Sequence, residues 1–497
     1  MWQRLIDLLE KSANPRILVL GDFMIDRYLY GDAERISPEA PVPVLRVVRQ
    51  EISLGGAGSV AANIAALGAN ADCAGVVGAD ADAGLLVKRL SDLGAATDGL
   101  LAMADRPTTR KTRLIGLAQH RHRQQLIRMD DEITSPIEGE AAEKLIAYAL
   151  ARLGACRAVC IEDYDKGVVT SQIAGAVIEA ARQRNIPTLV DPASIADYRR
   201  YAGASVMTPN RSETERVIGR RLPSVAAVRE SARAILDACH TEQVCVTLDA
   251  EGCALIGPGD EFVHAPTRTR EVYDVTGAGD EVLAAMAVAV AAGGSMAEAA
   301  ALANVAGGLE VEKFGCIPVA RDEVIGEILL EHQRQNGKIA GLETLLPLLR
   351  RRRARGERIA FTNGCFDLLH IGHVDGFAFA KQHADVLVVG LNSDASVRAL
   401  DKDDDRPIVP QDDRARVLAA LGDVDHVVIF DEPTPQRLIE VIEPDVLVKG
   451  QDWEGKVVVG REVVERRGGR VIFAPFIDGR STTNLIDRIR NGSTQSV

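Results

Sequence analysis

The sequence predicts an α/β protein made of two unequal, doubly wound units, and three observations carry that prediction. Short apolar runs of strand length alternate with amphipathic helical runs through the first two-thirds of the 497 residues, the rhythm of a mainly parallel sheet with crossover helices. That rhythm stops near residue 330, gives way to a polar, basic stretch, and resumes near residue 357. In each unit a strand ends in a glycine-bearing loop that leads into a helix, which is where open α/β sheets gather their ligand contacts. The chain exceeds one ordinary core. The expected division is 1–330, a linker plus the first helix of the next unit over 331–356, and 357–497.

Composition narrows the function classes. A hydrophobic content of 46% with 26% charged residues is that of a soluble globular protein. The net charge of −13 opposes a general polyanion-binding surface and leaves room for local basic pockets that hold small phosphorylated molecules. The first ten residues mix charge into a helical pattern without an apolar h-region, and the longest apolar segment, 282–292, is too short to span a bilayer. Eight cysteines lie far apart with no CxxC pair, which predicts reduced thiols. The expectation is a cytoplasmic enzyme with no nucleic-acid or membrane partner.

Taken in order, the first strand is expected over 16–20, ending in the acidic loop Gly21-Asp22-Phe23-Met24-Ile25-Asp26. Residues 28–48 mix short extended pieces with Pro38, Pro41 and Pro43 and read as a small β-flap. Leu54-Gly55-Gly56-Ala57-Gly58 feeds a helical run over 59–67, where Gly-Gly permits close approach of a ligand or of another backbone. Further strands are expected at 73–77, 158–161, 188–190, 205–208 and 243–247. The segment 108–128 carries Arg110, Lys111, Arg113, Arg121, Arg123 and Arg128, of which one or two suit a substrate phosphate and the rest a solvated face. Asn210-Arg211-Ser212-Glu213 places Asn and Glu three apart at a helix start. That spacing suits either water-mediated Mg²⁺ binding or a helix cap.

The stretch Asp274-Val275-Thr276-Gly277-Ala278-Gly279-Asp280 organises the first unit. With minimal side chains at Gly277, Ala278 and Gly279, successive N–H groups can close on phosphate oxygens, and the following helix points its positive end at the same spot. Asp280 stands where a base can take the proton of an attacking hydroxyl. In the second unit a strand over 358–362 leads to Asn363-Gly364-Cys365-Phe366-Asp367-Leu368-Leu369-His370-Ile371-Gly372-His373. Two imidazoles at a helix start, without a further metal ligand nearby, suit donation to a nucleotide α-phosphate better than zinc. Strands are expected at 385–391, 427–430, 446–448 and 471–474, and Ser481-Thr482-Thr483 before a last helix forms another anion site.

The first unit resembles the ribokinase-like sugar kinases over about 315 residues, through Gly21-Asp22, Gly55-Gly56, Asn210 to Glu213 and Asp274 to Asp280, taken in that order. The second resembles the Rossmann-like nucleotidyltransferases with a HxGH signature, through His370-Ile371-Gly372-His373 and Ser481-Thr482-Thr483. Joined in one chain with Val448-Lys449-Gly450-Gln451-Asp452-Trp453, they resemble the bifunctional heptose 7-phosphate kinases and heptose 1-phosphate adenylyltransferases of lipopolysaccharide precursor synthesis. The resemblance implies ATP at both sites, Mg²⁺, sugar phosphates as the other substrates, and a homodimer through the kinase unit. It implies that Asp280 is the kinase base and Gly277 to Gly279 the anion hole. Asp26, Gly55, Gly56, Asn63 and Arg128 fall at sugar-contacting positions. Asn210, Glu213 (through water to Mg²⁺), Asp274, Thr276 and Asn304 fall at Mg²⁺–ATP positions. In the transferase, His370 and His373 stabilise the α-phosphate, with Thr362, Asn363, Phe366, Asn392, Asp394, Lys449 and Ser481 to Thr483 around the nucleotide. The chain departs from the pattern at Ser59 (Asn in the family), Ala193 (Lys) and Asp401-Lys402 (Lys-Gly). The rival readings are a kinase for another sugar phosphate fused to a cytidylyltransferase, and a nucleic-acid-binding protein with a relic HIGH motif.

Overall fold

In the computed structural model, residues 2–10, 14–117, 124–259, 261–267, 277–313, 315, 317–399 and 406–475 are described. The chain separates into two compact units, Met1–Ile325 and Gly326–Val497. The first holds strands β1 (Arg16–Gly21), β2 (Phe23–Ile36), β3 (Pro43–Gly56), β4 (Asn70–Gly78), β5 (Ala96–Met103), β6 (Thr109–Gly116), β7 (Gln124–Asp131), β8 (Ala158–Glu162), β9 (Thr188–Asp191), β10 (Val206–Met207), β11 (Gln243–Thr247), β12 (Cys253–Ile256) and β13 (Phe262–Ala265).

Nine of these form one sheet in the order β13-β12-β11-β10-β9-β8-β1-β4-β5. It is parallel from β11 to β5, and only β12 is reversed, pairing antiparallel with both β11 and β13. The central strands are apolar on both faces because helices cover both: β1 and β8 are buried nearly throughout. The chain runs from β1 to β4 and β5 on one side and returns to β8 on the other, so the strand order reverses between β1 and β8. The site described below opens at this reversal.

The flap is larger than the sequence reading drew it. Strands β2, β3, β6 and β7 form a separate four-stranded sheet in the order β3-β2-β6-β7, with β2 and β6 parallel and both outer pairs antiparallel. The sequence reading drew the flap over 28–48 and gave most of the basic segment 108–128 to its solvated face, without foreseeing β6 and β7 as strands. Every residue of β7 is exposed, so that strand carries none of the alternating apolar signal that makes a half-buried strand legible.

The second unit holds β14 (Ile359–Gly364), β15 (Val386–Asn392), β16 (His426–Phe430), β17 (Val446–Gly450) and β18 (Arg470–Ala474), five strands as the sequence predicts. They form an all-parallel sheet in the order β16-β15-β14-β17-β18, which reverses between β14 and β17. The first helix expected for this unit is present over Leu342–Ala354, its Leu345 and Leu349 packed into this unit's core, and a further helix covers Arg321–Asn336. The arginine run 350–353 lies inside that helix.

His426, 1% exposed at the start of β16, is held neutral because burial lowers its pKa to about 4. The unfolded chain binds a proton near pH 6.5 that the folded unit refuses until about pH 4. The unfolded state therefore carries more protons in that window, and stability falls as pH falls, by about 1.4 kcal/mol per pH unit from this one group. A series of thermal melts from pH 7 to pH 4.5, read by loss of transferase-unit structure, is expected to show this slope, and His426→Phe is expected to flatten it.

Candidate active sites

In the first unit the site is assembled from strand ends. Asp22 follows β1, Glu162 ends β8, Asp191 ends β9 and Asn210 follows β10, while the helix Ala278–Ala291 brings Asp280 on its first turn. Gly277 caps that helix in the left-handed region at φ 97°, a conformation that would strain any residue with a Cβ. The amides of the first turn have no partner within the helix and point outward with the positive end of its dipole. Gly279 sits beside the Asp191 carboxylate.

Asp280 is 2% exposed. The Tyr164 hydroxyl donates to its Oδ1 at 3.0 Å, and the Ser59 side chain bonds it too. Burial pushes the Asp280 carboxyl up to about 7, against the lowering by these two hydroxyls. Glu162, Asp191 and Asp280 bring carboxylate oxygens within 4.8 Å of one another. Burial first, and then the neighbouring negative charges, raise Glu162 and Asp191 well above the usual carboxylate range. Hard oxygen donors packed this closely fit Mg²⁺, whose positive charge would relieve the repulsion that lifts them.

Asp22 does structural work behind this cluster. It accepts N–H bonds from Tyr164 at 2.8 Å, Lys166 at 3.1 Å and Val168 at 3.4 Å, which wraps the loop after β8 around it. Its carboxyl is raised to about 7, chiefly by burial and then by Asp163.

The flap contributes Asp26, buried and ion-paired with Arg113. A Cβ at Gly55 would stand 2.4 Å from Asp26 Oδ2, so the Gly-Gly motif lets the flap backbone approach that carboxylate. Lys111 Nζ lies 4.2 Å from the Tyr164 ring centroid. Burial lowers its pKa against the pull of Asp26 and Asp280, and Lys166 and Arg113 lower it further. Arg128 pairs across from Arg113 on β7 and binds the exposed side of Asp130, so it stands on the flap's outer strand. Asn63, on the helix Ala57–Ala66, is buried with Nδ2 unpartnered among the described residues.

Asn210 and Glu213 satisfy each other. The Asn210 side chain accepts from the Glu213 amide and Glu213 accepts from the Asn210 amide, a reciprocal capping box. The cap alternative is therefore realised, and Glu213 also lies close enough to Asp191 to raise that carboxyl. Asn304 donates to the Pro266 carbonyl at 3.0 Å, beside Gly252 in the turn between β11 and β12. Asp274 and Thr276, with Ser481, Thr482 and Thr483 of the second unit, lie outside the described residues.

In the second unit the site again lies where the strand order reverses. His370 is the N-cap of the helix Ile371–His383, and its amide donates to His373 Nδ1 at 3.4 Å. That bond leaves the His373 proton on Nε2, free to donate to a ligand. The two rings stack with centroids 3.9 Å apart. Burial lowers the pKa of both and, with the charge of His370, brings His373 to about 4, so both are neutral donors near pH 7. Phe366 packs edge-on against His373 at 5.2 Å. Thr362 and Asn363 end β14, and Lys449 at the end of β17 bonds Asn363 Oδ1 across the gap between the strands. Burial lowers Lys449 to about 8.

Asn392 Nδ2 donates to Ser396 Oγ at 2.9 Å, and Asp394 accepts from Arg414 at 2.5 Å. Arg414 is a residue the sequence reading passed over. Fully buried, it also donates to the carbonyls of Cys365, Asn392 and Val409, so it ties the loops after β14 and β15 together. Asp367 was missed as well: it accepts from Arg406 and the amides of Ile408 and Val409. An arginine in a polar helical run gives no sequence signal of burial. Tyr164 and Glu162 were missed as contacts because their partner, Asp280, lies more than a hundred residues away.

Residues 14–322 match the pfkB family carbohydrate kinase model, and residues 361–484 match the cytidylyltransferase-like model. Curated relatives named Bifunctional protein HldE align over nearly the whole length. One from Geobacter metallireducens is 46% identical over 95% of each chain, and one from Wolinella succinogenes is 42% identical over 97% of this chain and 99% of its own. Among solved structures, an Arabidopsis thaliana ribokinase complexed with ribose and ATP (21% identity, TM-score 0.52, 63% of this chain and 98% of that one) and the Escherichia coli phosphofructokinase-2 (18%, 0.52, 64% and 98%) share the fold of the first unit. With a carboxylate at one helix start and a histidine pair at another, the chain belongs to the HldE family of bifunctional enzymes, a pfkB-type sugar kinase joined to a nucleotidyltransferase.

Proposed function

We propose that residues 1–330 phosphorylate C1 of D-glycero-D-manno-heptose 7-phosphate with ATP. Residues 357–497 then transfer AMP from a second ATP to the heptose 1-phosphate, giving ADP-heptose and pyrophosphate for lipopolysaccharide core synthesis. The observation that carries this reading is the pairing of Asp280 with the open first turn of its helix. The sugar hydroxyl gives its proton to Asp280 as its oxygen bonds the γ-phosphorus, the bond to the bridging oxygen breaks, and ADP leaves. The amides of Ala278 and Gly279 receive charge on the transferred group. Mg²⁺ would be held by carboxylates of the Glu162 and Asp191 cluster, with Glu213 close by, and would supply charge neutralisation for the triphosphate. In the second unit the nucleophile is already an anion, so His370 and His373 need only stabilise the α-phosphate as pyrophosphate departs.

A sugar that carries a second phosphate suits Lys111, whose ammonium lies over the Tyr164 ring with Lys166 and Arg113 close enough to lower its pKa. Removal of that phosphate must come between the two steps, from a separate hydrolase. Free thiols at the seven described cysteines and the absence, among the described residues, of a helix long and apolar enough to cross a membrane agree with a cytoplasmic enzyme. The flap exposes apolar side chains on both of its edge strands, Val47 and Val48 on β3 and Leu126, Ile127 and Met129 on β7, which supports a homodimer through the kinase unit. Light scattering is expected to give twice the chain mass, and Ile127→Asp with Met129→Asp to halve it.

Mass spectrometry of the products tests the whole reading. Heptose 7-phosphate with ATP should give the 1,7-bisphosphate, and ADP-heptose should form only when a phosphatase is added. Transfer from CTP in preference to ATP, or phosphorylation of another sugar phosphate with heptose 7-phosphate ignored, would overturn it.

A further inference from the structure

Asp280 reaches its working geometry through residues outside its own motif. Its Oδ1 accepts from the Tyr164 hydroxyl at 3.0 Å. The tyrosine is fixed in turn: Asp22 accepts its amide at 2.8 Å and also those of Lys166 and Val168. Lys111 covers the ring face with Nζ 4.2 Å from the centroid, and the ring edge lies against Gly56, where a Cβ would come within 3.3 Å of Cδ2. A phenol held this way at a buried carboxylate can only donate. A phenol keeps its proton near pH 7 even in water.

We propose that Tyr164 is a positioning residue for phosphoryl transfer: its O–H, placed by the Asp22-anchored loop, holds one oxygen of Asp280 so that the other faces the sugar hydroxyl. The assignment rests on Asp280 being the kinase base. Two ends of one chain of contacts are thereby joined, since Asp22 at the end of β1 acts on Asp280 through a single loop. The bond also favours the ionised carboxylate, because a charge-assisted hydrogen bond is among the stronger ones and the site has little water to replace it.

Tyr164→Phe keeps the ring, its contact with Lys111 and its contact with Gly56, and removes only the hydroxyl. Steady-state kinetics on the full-length protein is expected to show kcat for sugar phosphorylation about 10- to 100-fold lower, with KM for sugar phosphate and for ATP within about twofold of the parent. Adenylyl transfer, measured in the same preparation, stays unchanged. Asp280→Asn is run alongside, and adding Tyr164→Phe to it should cause no further loss, since the hydroxyl acts through the carboxylate. Parental kcat in Tyr164→Phe, or a rise in KM for the sugar phosphate that accounts for the whole loss, would overturn the positioning role. If Asp280→Asn itself keeps parental kinase activity, the base assignment beneath it is what fails.

Discussion

Asp280→Asn is expected to lower sugar phosphorylation by about 10²- to 10⁴-fold, the range a positioned general base contributes, while adenylyl transfer by the same chain continues at its parental rate. The amide is nearly the size of the carboxylate and can keep the Tyr164 bond, so the fold of the first turn is preserved while the proton acceptor is lost. The parent enzyme should show the same dependence on pH. Burial pushes the Asp280 carboxyl of the free enzyme up to about 7, and its ionised form is the active one, so kcat/KM for the kinase step falls as pH drops through that value. Product formation followed separately for the two steps checks both statements. Loss of both activities in a folded variant would mean that the two sites are not independent.

His373→Ala should do the reverse, lowering adenylyl transfer by about 10²- to 10³-fold, as loss of a preorganised donor to a developing charge does, with the kinase step intact. The imidazole is neutral in the empty site, its pKa brought to about 4 by burial and by His370. Transfer therefore should not lose activity to histidine protonation between pH 6 and 8, whereas the kinase step does respond in that range. Pyrophosphate release, assayed across that interval with sugar 1-phosphate supplied directly, separates the two profiles. A pH response in transfer that matches the kinase profile would contradict two chemically distinct sites.

Much of this was legible because it is local. Gly277 to Asp280 and His370 to His373 each compress an anion-binding turn and its reactive side chain into a few residues, and the structure puts both at helix starts as the sequence predicts. Asn210 and Glu213 were legible as a pair, and the spacing allowed both a cap and a cation site. Long-range pairings were not legible. Tyr164 meets Asp280, Arg113 meets Asp26, and Arg414 gathers three loop carbonyls, and each depends on which strand ends the sheet order makes neighbours. The flap strands escaped for another reason. A sheet that is exposed along β7 has no core to impose a period of two on its residues.

The separate flap sheet divides the kinase site between two pieces of backbone. Asp26, Lys111 and Arg113 stand on the flap's β2 and β6, whereas Glu162, Asp191 and Asp280 belong to the main sheet and the helix packed on it. A sugar phosphate laid between them meets Lys111 and the Asp26–Arg113 pair on one side and the reacting carboxylates on the other. Recognition and turnover are thereby written on different pieces of backbone, and natural variation in the flap can alter which sugar is accepted while the phosphoryl-transfer apparatus stays as it is.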